Sequence, residues 1–505
     1  MDTLPSYDEL PYDSLPLPET QPDFLAAVAR LHGFEAPDPC CARILELGCA
    51  QGGNLIPLAW RWPQSECVGV ELSRVQAAAG ADFVAHLGVP NCRIVHGDLA
   101  AMPDDLGRFD FIIAHGVFSW VPPSVQQALL DVCRRHLSPQ GVAYISFNVH
   151  AGWSALRPLR DALIARTTAD LPAPARHQQA LRVLDALQTE WSDPALLKEI
   201  AYLKTAAPSY LFHEYLADFN APMAFGEFAA QLDVHGLRYV GEAGPRRAVV
   251  ELEDAWGLVP ESMAGRWLDA ERALDDALGT RFRRALIARA DAPCAQPPQA
   301  DALNGLAFYA DLACDEELDL EQDGEQRFVN PAGNTFAVTD AFAKAALIAL
   351  SSVYPRALTY PHLLAATHAV RHEFGVRGEV DAARFNAAWF TLATAHCVMP
   401  TLPGQTAVEV AAEPGSHPRA TALARLQAAT PGWVVSGARH VAIDLDAAGR
   451  ALVQGMDGSR DRAALGEAMQ AYLAESGISL PADQLAARID QQLWQLVRQG
   501  VCVAG

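Results

Sequence analysis

Metal-binding cysteine spacing is the first feature missing from this 505-residue chain. Its ten cysteines, at 40, 41, 49, 67, 92, 133, 294, 314, 397 and 502, form no CxxC pair and no Cys/His array of the zinc type, which excludes a zinc ribbon or finger. Several lie inside apolar runs such as ECVGVEL and DVCRRHL, where a free thiol is a small buried hydrophobe. That usage fits a reducing cytoplasm. HEYL at 213–216 and HEF at 372–374 match half of a zinc-protease helix, but Ala217 and Val376 stand where the second histidine would be, so no metal is expected. The longest helical apolar segment, AFAKAALIALSSVY, is too short for a bilayer and carries Lys344. The acidic, proline-rich start, MDTLPSYDELPYDSLPLPET, has neither the basic segment nor the apolar stretch of a signal peptide. Positive charge is scarce: 38 Lys and Arg against 60 Asp and Glu leave a net charge of −22, which repels nucleic acid and anionic lipid. The expectation is a soluble cytoplasmic protein with no nucleic-acid partner and no membrane insertion.

What is present is core-forming material, since half the residues are hydrophobic. The length predicts two or three domains of ~100 to 200 residues. From 43 to 148, short β-branched runs (RILELG, ECVGVEL, CRIVHG, FDFIIAH, GVAYISFN) alternate with helical patterns, the signature of a parallel sheet covered by helices. Helices are predicted to open at Gly53 or Asn54, after VPPS, and at Ser73, with Gly88 past the end of the last. Residues 155 to 218 read as helices, and strands return at 237–242 and near 282–290. The proline-rich segment 292–302 reads as a linker, and RFVNPAGNTFAV beyond it as a hairpin. The expected units are 1–154, a helical insertion at 155–218, a region at 219–295 completing the sheet, and a C-terminal domain at 303–505. The apolar stripes of 155–218 predict a homodimer through that segment.

The chemistry concentrates at strand ends, where open α/β sheets bind ligands. GCAQGG aligns with the dinucleotide pattern GxGxxG only if Ala50 takes the place of a glycine that makes room for a pyrophosphate. Glu46, two residues before Gly48, repels a pyrophosphate but counters a cation or an ammonium group. Glu71 ends the second strand, where a carboxylate can accept from both ribose hydroxyls. Asp98 ends the third, where it can accept from an adenine amino group while Leu99 packs on the ring. FDFIIAHGVFSWVPP carries the fourth strand into a loop that is expected to expose His115, Phe118 and Trp120 at the same rim.

Together, ELGCAQGG, VGVELS, GDL and FDFIIAHGVFSWV resemble the successive motifs of the class I S-adenosylmethionine-dependent methyltransferases. SYDELPYDSLPLPETQPDFLAAVARLHG, ISFNVHAGW and PSYLFHEYLADFNAPMAFGEFAAQLDVHGLRYVGEA are similar to members with a methyltransferase regulatory domain, a group that includes the rickettsial protein lysine methyltransferases. The resemblance implies an α/β fold: a Rossmann-like seven-stranded sheet whose last strand is antiparallel, interrupted by the helical insertion, with a C-terminal α+β domain of winged-helix-like elements. It implies S-adenosylmethionine as cofactor, bound by Glu46, Gly48, Gly52 and Asn54 at the methionine end, Glu71 at the ribose, Asp98 and Leu99 at the adenine, and His115 near the sulfonium. Tyr7, Asp8 and Tyr12 resemble the family's N-terminal lid, which would cover cofactor and substrate. A lysine acceptor has to arrive neutral, and Phe118, Trp120 and Trp153 are expected to desolvate it, with Asn148 holding the amine and His115 and Trp120 beside the reacting atoms. Two other functions stay open on these residues. One is a small-molecule methyltransferase, because cofactor motifs do not name the acceptor. The other is a cofactor-sensing module without catalysis.

Overall fold

The computed structural model describes residues 9–11, 13–244, 266–378, 381–405, 410–475, 477, 479 and 481–503. An N-terminal strap leads into helix α1 (Pro22–Leu31). Alternation then begins: β1 (Arg43–Leu47), α2 (Leu55–Arg61), β2 (Glu66–Glu71), α3 (Arg74–Leu87), β3 (Cys92–His96), β4 (Phe109–Ala114), α4 (Pro123–His136) and β5 (Leu137–Asn148). Four helices follow, α5 (His150–Arg166), α6 (Ala173–Glu190), α7 (Pro194–Leu203) and α8 (Pro208–Tyr215). The chain returns to the sheet through α9 (Phe225–Val234), β6 (Leu237–Glu242), α10 (Trp267–Leu278) and β7 (Phe282–Arg289).

The seven strands lie in the order β3-β2-β1-β4-β5-β7-β6. β1 through β5 are parallel, and β7 runs antiparallel to both β5 and β6. The order reverses between β1 and β4, which makes the carboxyl ends of those strands the place where such a sheet receives a ligand. Both faces are covered, so the strands are apolar on both sides rather than alternating. Ile44, Phe111, Val142 and Tyr144 pack under α1 and α2, whereas Leu45, Ile112, Ala143 and Ile145 pack against α4 and α9. The helix ends follow local chemistry: Ser73 accepts from the Gln76 amide at 3.1 Å, and Gly88 leaves α3 at a φ of 71°. Helices α5 to α8 build a core of their own around Trp153, Leu159, Leu184 and Tyr215.

The segment expected to be a free linker is instead bound down. Backbone amides of Ala295 and Gln299 donate to the carbonyls of His32 and Leu31 at 2.6 and 2.7 Å, and Gln296 donates to the Tyr239 carbonyl at 2.6 Å. Two of its amides find partners at the end of α1 and the Gln296 side chain finds one on β6, which composition does not reveal.

Beyond it come β8 (Ala307–Tyr309), the hairpin β9 (Gln326–Val329) and β10 (Thr335–Val338), α11 (Ala341–Val353), β11 (Leu358–Thr359), α12 (Tyr360–Glu373), α13 (Ala382–Thr394) and β12 (Met399–Thr401). The last part holds α14 (Ala422–Ala429), the short hairpin β13 (Val435–Ser436) and β14 (Ala442–Ile443), α15 (Ala447–Gly455), α16 (Arg462–Glu475) and α17 (Ala482–Arg498). These α14 to α17 elements are winged-helix-like and share one apolar core. After α17 a single bridge joins Cys502 to Ala420. Among the described residues no helix is long and apolar enough to cross a membrane.

Candidate active site

The loop after β1 is shaped by its glycines and by one alanine. Gly48 has a φ of 71°, and a Cβ there would lie 2.6 Å from Val117. Gly52, at 86°, faces Ile94 and Ile56, so its missing side chain lets the loop and helix pack on the sheet. Gly53 admits the N-terminal strap: a Cβ would sit 2.0 Å from the Ser14 carbonyl oxygen, and its amide donates to Ser14 Oγ at 2.7 Å. Ala50 also has left-handed backbone, with φ of 50°. Its amide donates to Glu71 Oε2 at 2.8 Å while Glu71 Oε1 accepts from the Ser73 amide at 2.8 Å. A pyrophosphate would find that amide already held by a carboxylate.

Glu46 is 4% exposed. Its Oε1 accepts from Asn54 Nδ2 at 2.9 Å, and its Oε2 has no hydrogen-bond partner among the described residues. Burial pushes its carboxyl up to about 8; the Asn54 bond opposes this and the Glu71 charge adds to it. A buried carboxyl with one unused oxygen is suited to a cationic group. Asn54 does not share that availability. Its Oδ1 accepts from the Leu17 amide, Thr20 Oγ1 and His440 Nε2, so the side chain expected to touch a cofactor is an internal tie.

At the other strand ends, Asp98 is exposed and accepts from the Ala100 amide at 2.9 Å, with Leu99 partly exposed beside it. Leu72, 45% exposed immediately after Glu71, is an apolar neighbour that sequence reading passed over. Its signal was its place directly behind a strand-ending acid. A carboxylate oxygen carries two lone pairs, so one amide bond does not exhaust it. Glu46, Glu71, Asp98, Leu72 and Leu99 thus fit a ligand with an ammonium, a diol and a flat aromatic base.

The β4 and β5 ends carry a second cluster. His115 Nδ1 lies 2.9 Å from Tyr144 Oη, and its ring meets Phe282 edge-on. Burial holds its pKa down to about 4; Glu19 opposes this and Arg284 reinforces it. The imidazole is neutral at pH 7 and a poor base for an ammonium ion. Glu19, from the N-terminal strap, accepts from Arg284 Nε at 2.8 Å. Burial raises the Glu19 carboxyl, but the Arg284 charge and the hydrogen bonds that Glu19 accepts outweigh it and leave the pKa below its usual value. No spacing in the sequence joined Glu19 and Arg284.

The aromatic predictions divide. Phe118 is fully buried, edge-on to Phe228 and Phe147, so it is core rather than rim. Trp120 is half-buried and meets Trp153 at 6.4 Å, but Trp153 is itself packed into the core of the helical insertion. Asn148 is buried, donating its amide nitrogen Nδ2 to Asn220 at 3.3 Å. Tyr7, Asp8 and Tyr12 lie outside the described residues. The strap beside them is anchored: Leu10 accepts from His213 at 2.6 Å, and Glu9 caps α6 through the Ala173 amide at 2.8 Å.

Comparison with known proteins decides what this arrangement belongs to. Residues 44–141 match a methyltransferase domain, 207–289 a predicted methyltransferase regulatory domain, and 416–501 the PKMT C-terminal winged helix domain. An uncharacterized protein of Rickettsia prowazekii is 32% identical over 229 residues, covering 44% of this chain and 92% of that protein. The chain belongs to the class I S-adenosylmethionine-dependent methyltransferases with a regulatory domain. A second uncharacterized R. prowazekii protein is 35% identical over 300 residues, 56% of this chain and 53% of that one, so the match spans about half of that relative's length. PKMT2 from Rickettsia typhi, in complex with AdoHcy, superposes with a TM-score of 0.81 over 98% of this chain and 100% of that one; at 20% identity the likeness is one of fold. The cofactor of this methyltransferase family is S-adenosylmethionine, and Glu46, Glu71, Asp98 and Leu99 stand at or just past the carboxyl ends of β1, β2 and β3.

Proposed function

We propose that this methyltransferase transfers methyl groups from S-adenosylmethionine to lysine side chains of proteins. The observation that carries the reading is the placement of two clusters on one strand-end edge: carboxylates suited to the cofactor on β1 to β3, and an aromatic-lined cluster around the neutral His115 at the ends of β4 and β5 and the start of β7. The 416–501 match to a PKMT winged helix domain supports a protein acceptor.

When bound, S-adenosylmethionine supplies an electrophilic methyl group on a sulfonium. Glu46 would hold the methionine ammonium, Glu71 the ribose, and Asp98 with Leu99 the adenine; Gly48 and Gly52 let the loop close on them. His115, Trp120 and Asn148 are assigned to the acceptor side. His115 positions the amine and does not deprotonate it, given its low basicity. Trp120 and the Trp153 edge exclude water, which favours the neutral amine, and Asn148 accepts from it. Phe118, packed against Phe147 and Phe228, is left out of this wall. By the family resemblance Tyr7 is assigned to the acceptor and Tyr12 to the cofactor.

Purified full-length chain incubated with methyl-labelled S-adenosylmethionine and a cell lysate should label lysines of other proteins, read by mass spectrometry. Self-labelling is limited, because the chain has only Lys198, Lys204 and Lys344, and Lys344 is buried. Label confined to small molecules would instead support a small-molecule acceptor, a reading favoured by the 30% identity to Azoarcus trans-aconitate 2-methyltransferase over 162 residues. Absence of any turnover leaves the sensing role. A homodimer through α5 to α8 is also proposed, supported by Tyr202, 50% exposed, on that unit; a monomer by light scattering at micromolar concentration overturns it. A cytoplasmic location is supported by ten free thiols.

A further inference from the structure

The C-terminal part reaches into the floor of the cofactor loop, at a point nothing in the methyltransferase motifs anticipates. The turn between β13 and β14 carries Arg439 and His440, both buried. His440 has a φ of 57°, a left-handed backbone that a side chain adopts only under constraint. Its Nε2 lies 2.7 Å from Asn54 Oδ1.

The direction of each bond follows from elementary chemistry. The Leu17 amide can only donate, and it meets Asn54 Oδ1 at 2.9 Å. That fixes the Asn54 carbonyl on this side and turns its Nδ2 toward Glu46 Oε1 at 2.9 Å. Because Oδ1 only accepts, His440 Nε2 must carry the proton. Burial, reinforced by the Arg61 cation, holds the ring's pKa down to about 3, so the imidazole is neutral and its tautomer is defined. The chain of bonds runs from His440 through one amide to the carboxyl that faces the cofactor's charge.

Two neighbours hold the turn in place. Arg439 lies over the Tyr309 ring at 4.1 Å and donates through Nε to the Pro355 carbonyl at 2.6 Å, while its own carbonyl accepts from Gln21 at 3.2 Å. Trp433, just before β13, stacks on Phe83 of α3 with ring centroids 3.6 Å apart. The α3 helix starts beside Glu71. The same C-terminal segment therefore contacts both the loop helix and the ribose-strand helix.

We infer that His440 is a positioning residue for the cofactor: through Asn54 it orients Glu46, so that the C-terminal part is a component of the cofactor site and its docking is coupled to cofactor occupancy. This rests on the assignment of Glu46 to the cofactor. Coupling of this kind is reciprocal, so a ligand at Glu46 must also tighten the His440 turn.

The test measures AdoHcy affinity of the full chain by calorimetry for wild type, His440→Ala and His440→Gln, with hydrogen exchange of residues 436–441 with and without saturating AdoHcy. Expected are about tenfold weaker binding by His440→Ala, recovery to within about threefold by His440→Gln, whose amide can donate from a similar reach, and slower exchange of the turn on binding. Failure of the wild type to bind AdoHcy defeats the cofactor assignment itself. If the wild type binds, equal affinity of His440→Ala overturns the inference, as does a His440→Gln that binds no better than His440→Ala. Should His440→Ala fail to fold, unchanged exchange at 436–441 in the wild type overturns it alone.

Discussion

At the Glu46 end of the strand-end edge the polar groups are buried and interlocked, with Asn54 tied to Glu46, Leu17, Thr20 and His440. At the Glu71 and Asp98 end the carboxylates stay within reach of water and accept from backbone amides, Glu71 from Ala50 and Ser73 and Asp98 from Ala100. The first end can recognise charge because it is dry, and its strength depends on distant segments. The second offers acceptors to hydroxyl and amino groups, and the amide bonds that set it up come from the strand-end loops themselves. Dryness carries a cost: a carboxyl without its cation is held protonated.

The sharpest way to break the comparison is at its boundary. Glu71→Ala removes the ribose acceptor and also frees the Ala50 and Ser73 amides, so AdoHcy affinity should fall by about 100-fold, two charge-assisted hydrogen bonds being worth about 3 kcal/mol; calorimetry reads it. Next comes the pH dependence of the dry end. Glu46 keeps its proton to about 8 in the empty protein, whereas in the unfolded chain it ionises near its ordinary value. The unliganded protein should therefore lose stability as pH rises from about 5 and level off above about 8. Affinity for AdoHcy, which brings an ammonium, should rise with pH over the upper part of that window. Glu46→Gln should flatten both profiles, and a Glu46→Gln profile as steep as the wild type would remove Glu46 from the account.

Gly53→Ala tests whether the strap belongs to the interlocked end. Its Cβ would meet the Ser14 carbonyl, a backbone group that cannot step aside, and a loss of about 1 to 3 kcal/mol is expected from chemical denaturation. The smallest effect is Ala50→Gly, which relieves left-handed backbone at an alanine. A gain below about 1 kcal/mol is expected, since glycine also frees the unfolded chain. Destabilisation there would mean that the alanine methyl makes a packing contribution.

The open end of the edge was legible in the sequence; of the interlocked end Glu46 was legible and the ties that hold it were not. β-branched runs placed the five parallel strands, and Glu71 and Asp98 could be located by counting from the glycines, because a strand end fixes where its last side chain stands. The strand at 237–242 and the Ser73 and Gly88 caps followed from equally local chemistry. Ala50 was read as a question of room for a phosphate, whereas the structure makes it one of backbone conformation and of an amide engaged by Glu71. Phe118 looked like a rim aromatic because its loop follows a strand end, but the loop turns it back between Phe147 and Phe228. Asn54 and His440 are 386 positions apart, and no periodicity or motif reports a contact of that separation. Glu19 and Arg284 meet for the same reason, by tertiary packing alone.

The stacking of Trp433 on Phe83 bears on how the protein can be dissected. A fragment ending before residue 416 would keep every cofactor motif and still expose the Phe83 face, leave Asn54 short of a donor, and take the Arg439 carbonyl away from Gln21. Shortened versions intended for assay or crystallisation are therefore expected to behave as damaged proteins rather than as smaller ones, and the natural unit of manipulation is the full chain.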